Sequence, residues 1–258
     1  MLYALDKQRD AELEVVSFHS IIIDEYGLTD SALPPTSLTW LNSVPLPAKP
    51  LSVCHYKRST YVGLDNKTVA RIDSNYQLYE SFITCSGPVN SIVIYKDMVY
   101  MLVGKGPAPF IVRVCDMSGK QIVKWNHSKH YYGCFCNLLT VVSDQVVIAD
   151  PPNNRITIYS LTGQILRHVP CSLVFRDYVG VCAVDDSSVV VVSDHGASQV
   201  FRFHITTGDV MWTCKDVIGP RAAIPCYGRR HVLVANYNTT VKILDTRTGV
   251  YLIRIYYT

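Results

Sequence analysis

Charge is scarce in this chain. Only 17% of its 258 residues are Asp, Glu, Lys or Arg, and a net charge of +3 with pI about 8.3 is too mild to announce a nucleic-acid or membrane partner. No uncharged apolar run reaches bilayer length, and the start, Met1 to Asp10, lacks both the basic head and the apolar core of a secretory signal. The expectation is a soluble, cytoplasmic chain with no membrane partner. Helical periodicity is absent throughout, which sets aside bundles and helical solenoids. Cysteine is plentiful, but nine is an odd number scattered through apolar segments, so a full disulfide framework is not expected and most thiols read as small core hydrophobes in a reducing compartment. With 48% hydrophobic residues the chain has a large core to bury and is not a disordered one.

What is present is a repeat. A turn follows a short β-branched run six times, in Ile21 to Gly27, Val69 to Asn75, Val112 to Gly119, Ile156 to Gly163, Val200 to Gly208 and Val241 to Gly249. The turn residues 27, 75, 119, 163, 208 and 249 lie 48, 44, 44, 45 and 41 positions apart. Strand-length segments rich in Val, Ile and Tyr at that period fit four-stranded blades. Each turn residue sits where a tight hairpin needs positive φ, which glycine adopts freely and asparagine tolerates. The run after each turn is the expected outer strand d of a blade, and the run before it strand c. The inner strands are clearest at Val179 to Asp185 (strand a) and Val189 to Ser193 (strand b), whose near-continuous apolar character suits strands packed on both faces.

The expected fold is therefore all-β, a six-bladed β-propeller of four-stranded antiparallel blades occupying residues 1–258 as one domain. The blades fall at 1–48, 49–85, 86–128, 129–172, 173–216 and 217–258. The first is divergent: Leu2 to Asp6 serves as a strand b, no strand a precedes it, and a proline-rich link occupies 31–50. Closure of the ring calls for the N-terminal strands to pair beside the last blade, which ends at Tyr251 to Tyr256.

Ala149-Asp150-Pro-Pro-Asn153-Asn154-Arg155-Ile156-Thr-Ile-Tyr159, followed by Gly163, resembles the NHL repeat: an apolar strand, Ala-Asp, a short loop, Asn-Arg, an apolar strand and a glycine turn. The likeness extends more weakly over Leu64-Asp65, Tyr178 to Asp185, Ser193-Asp194 and Ala235-Asn236. The stretch 86–128 departs from it, with Gly104 to Pro109 where Asp and Asn-Arg belong. The resemblance implies the C-terminal, target-binding part of a tripartite-motif (TRIM-NHL) ubiquitin ligase, which recognises RNA or protein. No RING or B-box metal spacing is present, so the resemblance implies ligase chemistry only outside these residues.

The connections from strand b to c and from d to a crowd one face of a propeller, and recognition concentrates there. They supply Lys67, Lys105, Lys129, His130, Tyr131, Tyr132, Arg155, Arg176, Tyr178 and Arg221, with Lys215 beside them. Cations interleaved with aromatics suit single-stranded RNA, since phosphates need charge and bases need flat surfaces to stack on. The same residues also read as ordinary solvated loop positions, and Asp150 reads as a cap for its own loop. The leading expectation is a monomeric, non-catalytic recognition module, with RNA slightly ahead of a protein partner and a protein scaffold as the alternative. No catalytic residue, cofactor or metal is nominated. A second alternative is a calcium-dependent propeller hydrolase, because Asp65, Asp150, Asp194 and Asn236 recur at matching positions and Ca²⁺ takes oxygen ligands. His127, His130, Cys134 and Cys136 form the one metal-like cluster, at a spacing unlike structural zinc sites.

Overall fold

Runs that alternate Val and Ile with small polar residues pack best as pleated sheets, and the described residues fold into antiparallel strands with one short 3₁₀ turn among them, at Pro151–Asn153. The computed structural model describes the backbone of residues 2–5, 12–19, 37–104, 109–129, 138–170, 179–193, 198–226, 230–236 and 240–256.

Strands β1 (Leu2–Leu5), β2 (Glu12–His19) and β3 (Ser37–Pro45) form a three-stranded sheet. Five four-stranded sheets follow. Blade 1 comprises β4 (Pro50–Tyr56), β5 (Ser59–Leu64), β6 (Thr68–Ile72) and β7 (Leu78–Thr84). Blade 2 comprises β8 (Val89–Tyr95), β9 (Met98–Val103), β10 (Pro109–Asp116) and β11 (Gln121–Lys129). Blade 3 holds β12 (Leu139–Val142), β13 (Gln145–Asp150), β14 (Arg155–Ser160) and β15 (Ile165–Pro170). Blade 4 holds β16 (Val179–Ala183), β17 (Ser188–Ser193), β18 (Gln199–His204) and β19 (Val210–Cys214). Blade 5 holds β20 (Pro220–Cys226), β21 (His231–Asn236), β22 (Thr240–Asp245) and β23 (Tyr251–Tyr256). Each is a meander in chain order, a to d. First strands pack on first strands, β4 on β8, β8 on β12, β12 on β16 and β16 on β20, while β1 lies beside β4, so the a strands gather inside and the d strands lie outermost.

The expected six blades are thus corrected to five. Counting turns counts hairpins, and a hairpin is only half a blade. Among the described residues the segment before β4 supplies three strands. The N-terminal copy of the turn, Ile21 to Gly27, lies outside the described residues. The expected pairing of N-terminal strands with the last blade is corrected too: among the described residues β23 pairs with β22, and β1 with β2.

The expected outer strands after the turns are β7, β11, β15, β19 and β23. Their turns are built alike. Asp116 Oδ1 accepts from the amides of Ser118 and Lys120 at 2.9 and 3.0 Å, Asp245 Oδ1 from those of Arg247 and Thr248 at 3.0 and 2.8 Å, and Ser160 and His204 take the same place in blades 3 and 4. Gly163 (φ 93°) and Gly249 (φ 72°) adopt the left-handed conformation and also lie against the previous blade, where a Cβ would fall 2.5 Å from Trp125 and 2.6 Å from Trp212. In blade 1 the positive φ falls on Tyr76 (61°), one residue beyond the expected Asn75.

Cores form between blades rather than within them. Tyr100, Val112, Ile148, Ile158 and Phe201 belong to one cluster that runs through blades 2, 3 and 4; Val69, Val89 and Met101 seal blade 1 against blade 2, and Val200, Val232 and Leu244 seal blade 4 against blade 5. Val44 and Leu46 are buried against Val62, Leu64 and Ile72, which ties the N-terminal sheet to blade 1. Hydroxyls stitch the inner strands across blades: Ser52 Oγ donates to the Val89 carbonyl at 3.0 Å, the Leu139 amide to Ser91 Oγ at 3.2 Å, and the Ala183 amide to Thr140 Oγ1 at 3.2 Å.

Candidate functional site

Connectivity sorts the connections onto two unlike faces. The a–b and c–d turns share one, called here the turn face. In blades 1 to 3 the a–b turn is two residues long, Lys57-Arg58, Lys96-Asp97 and Ser143-Asp144, all with positive φ as a tight hairpin requires. These turns clasp one another around the centre. Lys57 Nζ donates to Asp97 at 2.6 Å, Lys96 Nζ to Asp144 at 2.7 Å, and Ser143 Oγ to the Asp186 carbonyl. The hydrogen bond from Lys57 holds the Asp97 carboxyl below its ordinary range, and that from Lys96 does the same for Asp144; both lysines are raised in turn. Further out, Arg202 donates to Ser188 Oγ at 2.8 Å, to the Thr246 carbonyl at 2.7 Å and to Asp185, joining blades 4 and 5. Much of the polar chemistry of this face is spent on the fold itself.

That network sets an acid limit. Burial lowers the pKa of His231 from its ordinary 6.5, so below that pH the unfolded chain takes up a proton that the folded one resists, and stability falls as pH drops through 6.5. Asp97, Asp144 and Asp116 are lowered from 3.8 by their hydrogen bonds; at Asp245 burial works the other way but is outweighed by the amide and hydroxyl of Thr248. Their contribution is present above pH 3.8 and is lost as pH falls through the depressed folded values. The melting temperature is therefore expected to be flat near pH 7 to 8, to decline below 6.5 and to decline further below 3.8. Calorimetry across that range, with His231→Asn flattening the upper limb, checks it.

The b–c and d–a connections share the opposite, loop face. They include the longest links between the four-stranded blades, 130–138 and 171–178, joining β11 to β12 and β15 to β16. Every candidate RNA- or partner-binding residue read from sequence belongs to these connections or to the strand ends beside them, and Lys67, Arg155 and the exposed Lys215 have described side chains. Lys67 is exposed in the β5–β6 connection at φ 73°, its carbonyl accepting from the Cys85 amide at 2.7 Å; beside it Asn66 Oδ1 accepts from the Thr68 hydroxyl at 2.7 Å. Arg155 opens β14, directly across from Asp150 at the end of β13. Its Nε donates to Asp150 Oδ2 at 2.8 Å, and Asn153 Nδ2 lies 2.9 and 3.0 Å from the two carboxylate oxygens. Asp150 is fully buried, while a third of the Arg155 side chain reaches solvent. The Asp-Asn-Arg constellation that carried the family resemblance is held together by these side-chain bonds, and Asp150 makes no side-chain cap bond to the turn that follows it.

Lys105, His130, Tyr131, Tyr132, Arg176 and Tyr178 lie outside the described residues. Lys129 ends β11 and Arg221 is second in β20, with only their backbones described. One residue of this face was not singled out from sequence: Ile218, between β19 and β20, is 64% exposed, the largest value among the described large apolar side chains. Buried Val217 precedes it, and Gly219 follows with its amide on Ser198 Oγ at 3.4 Å, so the loop is held in place beneath it. The sequence signal was an isoleucine set before Gly-Pro in a polar connection.

The calcium alternative gains nothing from these positions. The Asp150 oxygens are engaged by Asn153 and Arg155, Asn236 Nδ2 donates to Thr240 Oγ1 at 3.1 Å, and Asp194 lies outside the described residues. Among the described residues no group of three His, Cys, Asp or Glu side chains is placed to hold a metal. His127 Nδ1 is 2.8 Å from the Tyr159 hydroxyl, and its companions His130, Cys134 and Cys136 lie outside the described residues. Cys54, Cys85, Cys115 and Cys214 are free thiols; burial pushes Cys54 and Cys85 up to about 11, which suppresses thiolate chemistry at neutral pH.

No family model matches the chain, and no curated protein matches it in sequence. Solved structures do match in shape. The WD40 β-propeller domain of Doa1 superimposes with a TM-score of 0.66 at 15% identity, over 96% of this chain and 77% of that one. The computationally designed Ika8 protein gives 0.58 at 16% identity, over 96% of this chain and 72% of that one. Likeness at such identity concerns fold alone, and the NHL resemblance has no family match behind it. The chain is a β-propeller of four-stranded antiparallel blades, similar in fold to a WD40 domain.

Proposed function

We propose that the chain is a non-catalytic recognition module that binds a protein partner on its loop face. The observation that carries this reading is the contrast between the faces: the turn face is tied up in its own ion pairs and turn bonds, while the loop face carries the long connections, where binding surfaces concentrate. Its described surface is mixed rather than basic. Exposed Lys67 and Lys215 are matched by exposed Asp65 and Asp216, with Ile218 among them. Such a patch suits a protein interface, which needs apolar anchors within a polar rim. Membership of a ubiquitin ligase rests on the NHL resemblance alone.

RNA recognition is the second reading, carried by the cations and aromatics of Lys129 to Tyr132 and of Arg176 and Tyr178. Two measurements separate the readings. A protein captured by the purified chain is expected to be lost by Ile218→Asp, retained by the turn-face control Arg58→Glu, and little affected by salt. Binding to a randomised single-stranded RNA pool that falls steeply with salt, and is lost in a Lys67→Ala, Lys129→Ala, Arg176→Ala variant, overturns the protein reading in favour of RNA.

A further inference from the structure

The three-stranded sheet repeats the outer part of a blade. Four residues join β3 to β4, as four join β7 to β8. In both links the last carbonyl accepts from the residue that follows the next strand b, Lys49 from the Asp65 amide and Pro88 from the Gly104 amide, each at 3.0 Å. Val44 and Leu46 are buried with Val62 and Ile72 of strands b and c in blade 1, and Ile83 and Cys85 are buried in the same way with Met101 and Cys115 of blade 2. β3 therefore holds the place of a strand d, β2 that of c and β1 that of b. β1 also lies against β4, as β5, β13 and β17 lie against the first strand of the next blade. What the sheet lacks, among the described residues, is a strand a on the inner edge of β1.

Such an edge presents a row of backbone donors and acceptors, and in each of the five complete blades an extended strand meets it. The strands that do so, β4, β8, β12, β16 and β20, contain no Asp, Glu or Lys. Three of them bond the first strand of the following blade through a hydroxyl, that of Ser52, Ser91 or Thr140. The turn after strand a gives the slot a second mark. Its first residue pairs with the second turn residue of the next blade, Lys57 with Asp97 and Lys96 with Asp144. In blade 1, beside the open slot, the place of those acids is taken by a cation. Arg58 is exposed, has φ 63° where Asp97 has 58° and Asp144 56°, and makes no ion pair among the described residues. The charge that complements it from the preceding sheet is negative.

We propose that the inner edge of β1 receives a strand from a partner protein, an uncharged extended segment that runs antiparallel to β1 and ends on an aspartate or glutamate at Arg58, separately from the loop face. Main-chain hydrogen bonds to β1 supply the affinity, and the acid at Arg58 sets the register. The complete blades of the chain itself remain five.

The probe is a fluorescent, C-terminally amidated peptide with the sequence Val89 to Tyr95, the strand a of blade 2, extended by one aspartate and titrated by anisotropy into the whole chain. Binding is expected. N-methylation of alternate amides is expected to weaken it about tenfold or more in one alternate set and to leave it intact in the other, because only one edge of the added strand faces β1. Arg58→Glu is expected to weaken binding about threefold to tenfold, and a peptide ending in lysine to recover it. Ile218→Asp is expected to leave peptide binding unchanged, which separates the slot from the loop face. If Arg58→Glu does not fold, Arg58→Ala is expected to remove the preference for aspartate over lysine. No binding by the wild type, equal losses from both N-methylated sets, indifference of Arg58→Glu to the terminal charge, or a self-associated chain in sedimentation that excludes the peptide each overturns the proposal.

Discussion

Arg155→Ala is expected to destabilise the chain by about 2–3 kcal/mol, read as a lower urea midpoint at unchanged slope. The substitution takes a guanidinium from a carboxylate with no solvent exposure. Asn153 Nδ2 remains on Asp150, but an amide does not balance a buried charge as a cation does. Breaking a buried pair typically costs about 3–5 kcal/mol, and the figure here is reduced because a third of Arg155 is exposed. Arg155→Lys is expected to recover part of the loss, since it restores charge without the Nε donor that meets Oδ2 at 2.8 Å. An unchanged midpoint in Arg155→Ala overturns the structural assignment and returns Arg155 to the candidate binding residues. Loss of a partner in Arg155→Ala therefore reports on the loop's integrity, and Lys67→Ala is the cleaner test of contact.

Gly63→Ala is expected to cost a further-reaching 3 kcal/mol or so, because the position between β4 and the neighbouring blade has no space for a methyl group. A Cβ there would lie 2.4 Å from Ser52 Oγ, 2.6 Å from the Val89 carbonyl oxygen and 2.7 Å from Val89 Cγ1. The hydroxyl is able to rotate away, at the loss of its bond to that same carbonyl. The carbonyl belongs to the first strand of blade 2 and moves only if the two blades part. Ser52→Ala combined with Gly63→Ala is expected to relieve a minority of the loss, which a thermal melt of the single and double variants resolves. A near-normal melting temperature for Gly63→Ala means that the interface between blades 1 and 2 yields more easily than its packing implies.

The repeat was legible because its turn is a local device. Asp116 and Asp245 bond amides two to four residues ahead, and Gly163 and Gly249 take a backbone shape that few residues accept, so both leave their mark in a short window of sequence. The strands on either side follow from period and β-branched content. The number of blades was not legible in the same way. A turn marks strands c and d but says nothing of a and b, and the N-terminal copy was counted as a blade where the described residues form three strands before β4. For the candidate site, the sequence placed Lys67 and Arg155 on one face, since alternating connections of a meander must alternate ends. It did not distinguish the exposed Lys67 from Arg155, which spends its Nε on a buried carboxylate, because that difference depends on burial across strands β13 and β14.

Composition and local pattern by themselves determined an all-β chain of repeated four-stranded meanders, with glycine and aspartate at the turns, because those choices depend on backbone sterics and hydrogen bonds within a few residues. Tertiary structure alone decided that five blades are complete, that the turn face is clasped by Lys57–Asp97 and Lys96–Asp144 pairs, and that β3 packs on blade 1 in the place of a strand d. Those outcomes depend on which blade lies beside which, and that is settled only when strands some 40 residues apart in the chain come into contact.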